Sequence, residues 1–235
     1  MGQVTIFEDA EALSHAAASF FVQASHRALE RNGHFSVALS GGPTPKRFYE
    51  LLADERYWRA VPWDRTHLFW GDDRAVGPEH EHSNYRLAHE AFIRHVPLPE
   101  ANVHRVRGEL GAAAAAEDYS QELVNFFGGD TPPAMDLAIM GIGDDGHTAS
   151  LFSGSEALAA TDYVMPVFDP PAAPRVDRVT LTFPAFAAAH TALFLVTEEN
   201  KRDVLAGVLN GDPQYPASRF QAQRVIWYAG QAVAG

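Results

Sequence analysis

Residues 135–152, MDLAIMGIGDDGHTASLF, carry an apolar, β-rich run straight into a turn rich in glycine, aspartate and histidine. Gly141, Gly143 and Gly146 spell G-x-G-x-x-G, the spelling of a dinucleotide-binding turn. In such a turn free N–H groups face a diphosphate, and an acid ending the next strand holds a ribose. Here Asp144 and Asp145 stand where the anion belongs. The stretch therefore reads as a loop that does chemistry itself, and no cofactor is expected. His147 is the side chain in it able to accept and return a proton near neutral pH. A carboxylate, either Asp145 two residues before it or Asp72 from another strand, orients the ring.

Outward from this stretch, short β-rich runs alternate with helical patterns. VTIF (4–7), FSVAL (35–39), THLFW (66–70), MDLAIMGI (135–142), RVTLTF (178–183), TALFLV (191–196) and RVIWY (224–228) read as strands. Several are apolar on both faces, as strands covered by helices on each side of a parallel sheet are. Residues 10–30, 45–53, 83–93, 112–127 and 198–209 show helical spacing. The alternation predicts an α/β fold: a doubly wound, mostly parallel sheet with helices on both faces, a Rossmann-like three-layer sandwich whose ligand site lies at the carboxyl ends of the strands. The Pro-rich segments 128–136 and 168–175 read as loops, and residues 1–235 as a single domain.

Composition narrows the function. A chain of 235 residues that is 46 % hydrophobic can bury a full core, and zero cysteines exclude disulfides, thiolate metal ligands and a cysteine nucleophile. Thirty acids against eighteen lysines and arginines, a net charge of −12, argue against nucleic acid or anionic lipid as partner. No stretch reaches the about 18 uninterrupted apolar residues that span a bilayer, and the opening MGQVTIFEDAEALSHAAASFF lacks a basic region before an apolar one. A cytoplasmic protein is expected, with no membrane partner, as a monomer or weak homo-oligomer.

Three further loops follow strands and carry polar groups. In LSGGPTP, Ser40, Gly41 and Gly42 permit a tight turn, Thr44 suits an N-cap and Pro45 the first helical position. Open N–H groups at that helix start would hold a phosphate, although no lysine completes a nucleotide P-loop. In GDDR, Asp72, Asp73 and Arg74 follow a buried strand. In the segment after them, His80 and His82 flank Glu81 with no third ligand in register, so no metal is expected. In TEENKRDVL, Lys201 lies in the first turn of a helix, where the dipole disfavours a cation unless an anion joins it. Glu198, Glu199 or a bound phosphate would meet that need.

Four segments together, LSGGPTP (39–45), WGDDR with SNYRLAHEAF (70–74, 83–92), MGIGDDGHTASLF (140–152) and RVTLTFPAF with LFLVTEENKRDVL (178–186, 193–205), resemble the 6-phosphogluconolactonase family, part of a superfamily with glucosamine-6-phosphate isomerase/deaminase. The resemblance implies hydrolysis of 6-phospho-D-glucono-1,5-lactone to 6-phosphogluconate in the oxidative pentose phosphate pathway, without an obligatory cofactor. It implies His147 as general base, Asp72 and Arg74 as site residues, Ser40 to Thr44 as phosphate cradle, and Arg178 and Lys201 as cationic partners of the substrate. Asp73 stands where the family commonly has glutamate, and Ser153 where it has proline. Isomerase or deaminase relatives continue their histidine motif toward an Asn-Glu pair. This chain continues with Thr148, Ala149, Ser150, Leu151 and Phe152, which lack that carboxylate. A sugar-phosphate sensor without catalysis is the other reading, and it would need an output module.

Overall fold

The protein is described from a computed structural model that covers residues 2–129 and 131–234. In chain order, its first half runs β1 (Gln3–Phe7), α1 (Ala10–Asn32), β2 (Phe35–Leu39), α2 (Pro43–Leu52), α3 (Glu55–Trp58), β3 (Thr66–Trp70), β4 (Asp72–Arg74), α4 (Asn84–Ala91) and α5 (Ala112–Phe127). The second half runs β5 (Leu137–Met140), β6 (Val164–Val167), β7 (Arg178–Leu181), α6 (Phe183–Ala187), β8 (Thr191–Val196), α7 (Arg202–Leu209), β9 (Arg224–Gly230) and α8 (Gln231–Ala234).

Six strands form one all-parallel sheet in the order β1-β9-β8-β5-β2-β3. Every residue of β2 and β5 is buried, because helices cover both faces. This is the doubly wound α/β fold that the strand–helix alternation predicts. Helix α1 begins where the Asp9 side chain accepts the Ala12 N–H at 2.7 Å. It stops at Gly33, whose φ of 79° ends it in the left-handed conformation. Its inward face sets Phe21 edge-on to Phe35 of β2, with ring centroids 5.1 Å apart. At the amino ends of the strands, buried Asp136 accepts hydrogen bonds from Ser36 N at 2.7 Å and Ser36 Oγ at 2.9 Å, and pairs with Arg31. That tie leaves the carboxyl ends free for other work.

The chain winds from β2 outward to β3, then crosses to place β5 on the other side of β2. The crevice between the ends of β2 and β5 is thus a topological switch point, where the connections leave in opposite directions and a ligand has room. Two buried tyrosines pin the neighbouring tips. Tyr49 of α2 donates to Ser40 O at 2.8 Å and accepts from Ser40 N at 3.0 Å. Tyr119 of α5 does the same for Trp70, at 2.9 and 2.8 Å.

One strand departs from the expected arrangement. The run 178–183 is a strand only over Arg178–Leu181, and it belongs to a second, antiparallel sheet of order β4-β7-β6. Neither β4 nor β6 announces itself: DDR is charged and VMPV contains a proline, so both lack strand composition. What makes them strands is long-range pairing with β7.

Candidate active site

The four loops that leave the adjacent tips of β8, β5, β2 and β3 converge on one hollow of about 560 Å³. Its lining includes Ser40, Gly41, Gly42, Thr44, Asp72, Arg74, Asp145, His147, Arg178 and Lys201. All ten residues singled out in the sequence therefore share one cavity.

His147 is held from both sides. Its Nδ1 lies 2.5 Å from Asp145 Oδ1, the same oxygen that accepts the His147 backbone N–H at 3.1 Å. The couple pulls the Asp145 carboxyl below its ordinary pKa, chiefly through the hydrogen bond to the imidazole and against the effect of burial. With Nδ1 bound to a carboxylate, Nε2 is the nitrogen left to act as acceptor. The ring packs on Phe152, centroids 4.4 Å apart. On its other side it meets the backbone: a Cβ on Gly143 would stand 2.0 Å from His147 Cε1. Gly143 is thus required for close approach of the imidazole. Gly146, at a φ of 77°, is required for the turn itself.

Asp72 is committed elsewhere. Its Oδ2 accepts the Ser150 hydroxyl at 2.6 Å and faces Arg178 at 4.0 Å. Of the two carboxylates that the sequence offers for the imidazole, Asp145 is the one in contact. Asp73, beside it, serves the backbone: it accepts N–H groups from Arg74 at 2.7 Å, Asn84 at 2.6 Å and Tyr85 at 3.0 Å. Burial pushes the Asp73 carboxyl up to about 6 in spite of those donors. Asp73 thereby ties the start of α4 to the end of β4.

The turn after β2 corrects one expectation. Helix α2 starts at Pro43, so Gly42, with no side chain to contribute, is the N-cap, and Thr44 lies inside the first turn. The Thr44 hydroxyl instead donates to Glu198 Oε1 at 2.8 Å. Pro43 and Pro45 bring no N–H to the helix start, which leaves Gly42 and Thr44, both in the lining of the hollow, as the donors of its first turn.

The cations sit around this turn. Lys201 ends a short 3-10 turn and caps α7, rather than lying within that helix, and its Nζ is 3.3 Å from Glu198 Oε2. Burial raises the Glu198 carboxyl, but Thr44 and Lys201 outweigh it and the net shift is downward. Arg178 is only 3 % exposed, and burial lowers its pKa. It donates to Ala172 O at 3.2 Å and Pro174 O at 3.3 Å, and its guanidinium lies 5.3 Å from the Phe152 ring centre. One arginine thus fastens the Pro-rich loop and backs the ring that supports His147. Arg74 donates to the side-chain oxygen of Asn84. Asn84 and the loop 171–173 line the hollow as well. The sequence does not single out Asn84, since an asparagine after an N-cap serine reads only as a helix start.

A family model described as glucosamine-6-phosphate isomerases/6-phosphogluconolactonase matches residues 8–227. The chain belongs to this family. Among family members, a 6-phosphogluconolactonase of Nostoc is 37 % identical over 99 % of this chain and 96 % of its own length. One of Synechocystis is 40 % identical over 87 % and 85 %. The solved 6-phosphogluconolactonase of Thermotoga maritima superposes with a TM-score of 0.87 at 31 % identity, covering 98 % of this chain and all of that one. Against that family background, the hollow at the strand tips is the candidate active site.

Proposed function

We propose that residues 1–235 act as one 6-phosphogluconolactonase-like domain, a hydrolase that opens 6-phospho-D-glucono-1,5-lactone to 6-phospho-D-gluconate in the oxidative pentose phosphate pathway, with His147 as general base. One observation carries the assignment of roles: the Asp145–His147 couple shares a hollow with the open helix start at Ser40–Thr44. The first is a device for moving a proton, the second a cradle for a phosphate.

In this reaction His147 Nε2 takes a proton from a water that attacks lactone C1. Asp145 stabilises the imidazolium that results. The open N–H groups of the glycine turns supply positive potential to the oxyanion, and Arg74 supplies it to the phosphate. Collapse breaks the bond from C1 to the ring oxygen, and the imidazolium returns its proton to that oxygen as it leaves. The product acid then loses its proton to solvent. No step calls for a cofactor or a metal.

The residues after His147 disfavour the deaminase reading. Thr148 donates to Gly141 O at 2.9 Å and Ser150 to Asp72, and neither brings a carboxylate to open a sugar ring. No helix among the described residues is long and apolar enough to cross a membrane. With the acidic net charge, this fits a small-molecule enzyme of the cytoplasm, monomeric or weakly associated, with no nucleic-acid partner. The deciding experiment supplies freshly generated lactone and, separately, glucosamine 6-phosphate. Accelerated lactone opening without ammonia release is expected; ammonia release, or tight binding of 6-phosphogluconate without turnover, would overturn the reading.

A further inference from the structure

The three cations of the hollow are not equivalent. Arg178 faces Asp72 at 4.0 Å and Lys201 faces Glu198 at 3.3 Å. Arg74 is held by a neutral amide, Asn84 Oδ1, and among the described residues no carboxylate lies within 4.0 Å of its guanidinium nitrogens. Its Nε, like that of Arg178, is buried without a partner, so what sets Arg74 apart is the lack of a facing carboxylate.

The amide is fixed from three directions. Asn84 is 2 % exposed, its Nδ2 donates to Asp72 O at 2.8 Å, and its own N–H is clamped by Asp73 at 2.6 Å. With the NH₂ on a carbonyl, the oxygen must face the guanidinium. A Cβ on Gly41 would stand 1.8 Å from that oxygen, so the amide packs directly against Gly41. A carboxylate in its place would still offer Arg74 an oxygen, but it would cancel the charge and lose the bond to Asp72 O.

We propose that Asn84 is a positioning residue for substrate binding: it fixes Arg74 beside the Gly41–Gly42 turn with its charge uncompensated, and so sets the preference for a phosphate-bearing substrate. The proposal rests on the sugar-phosphate reading above for the identity of the substrate, though not for the coupling of Asn84 to Arg74.

The test is a double-mutant cycle of Asn84→Asp with Arg74→Ala, read as calorimetric Kd for 6-phosphogluconate and for inorganic phosphate at fixed ionic strength, and as KM and kcat for the lactone. Asn84→Asp weakens 6-phosphogluconate binding and raises KM by roughly 10- to 100-fold, the scale of one charge-assisted hydrogen bond, while kcat stays within about threefold because the proton-transfer couple is untouched. In the Arg74→Ala background the same substitution changes Kd by less than about threefold, since coupled residues do not add. Equal losses in both backgrounds, or a fall in kcat with KM unchanged, would sink the proposal. If Asn84→Asp does not fold, Asn84→Ala, which releases the Arg74 guanidinium without adding charge, carries the same cycle. The inorganic phosphate arm reads the Asn84–Arg74 coupling even if wild-type protein opens no lactone, so failure of the two readings can be told apart.

Discussion

Asp145 and His147 form a contact of 2.5 Å across two residues of one turn, while Asp72 stays engaged with Ser150 and Arg178. Under the proposed mechanism, catalysis and architecture are divided between two carboxylates that look interchangeable in the sequence. His147→Ala is expected to lower kcat by about 10²–10⁴ with modest change in KM, the range of general acid–base help. Asp145→Asn leaves the ring with the wrong tautomer preference and lowers kcat by roughly 10- to 100-fold, less than a fully buried partner would, because Asp145 is half exposed. Asp72→Asn acts instead on KM and melting temperature. Steady-state kinetics of the three variants check the division, and a larger kcat loss for Asp72→Asn than for Asp145→Asn would reverse it.

Gly143 gives a second, independent handle on the imidazole. An alanine methyl there would overlap His147 Cε1, at 2.0 Å, so the ring must leave its seat. Gly143→Ala is expected to lower kcat by about the general-base range, with binding of 6-phosphogluconate little altered, since the cradle lies on another strand tip. Calorimetry beside turnover separates the two effects; retained turnover would show that the imidazole acts from elsewhere.

Legibility in the sequence followed the range of the forces involved. Helix α5 lies at Ala112–Phe127, where its alanine-rich start and apolar spacing predict it, because helices are governed by neighbours three and four residues away. The parallel strands were legible for a similar reason, being apolar on both faces. Strands β4 and β6 were not, since only pairing with distant β7 makes DDR and VMPV extended. Within the site, the histidine turn and the glycine turn could be read from their chemistry. The choice between Asp145 and Asp72 could not, and neither could Asn84: each depends on which tips the sheet order places side by side. Thr44 was misread because proline at position 43 was already enough to start the helix.

Tyr49 tests whether the rigidity of the phosphate turn matters. Its hydroxyl serves both backbone groups of Ser40, at 2.8 and 3.0 Å, and burial raises its pKa so that it stays protonated. Tyr49→Phe removes the one hydroxyl that serves both groups and is expected to cost about 1–3 kcal/mol of stability, the desolvation penalty of unsatisfied groups. It should also raise KM more than it lowers kcat. Denaturant unfolding with parallel kinetics measures both, and an unchanged midpoint would mean that water replaces the phenol.

Acid sensitivity should originate away from the active site, at the outer strand β3. His67 Nδ1 lies 3.1 Å from His104 Nε2, whose Nδ1 meets Glu122 at 2.6 Å, and the His34 ring packs edge-on nearby. Burial, then the neighbouring His104 and His34, push the His67 pKa down from 6.5 to about 4. Between those values the unfolded chain binds a proton that the folded chain refuses, so stability rises with pH across this window. The contribution is complete above about 6.5 and is lost as pH falls toward about 4. The buried Asp73 carboxyl, raised to about 6, contributes the opposite slope below that pH, so the His67 effect is read as a difference: the melting temperature of wild type relative to His67→Gln, which cannot titrate, should climb from pH 4 to 6.5. Parallel melting curves for wild type and variant through the whole window would assign the acid sensitivity to other groups.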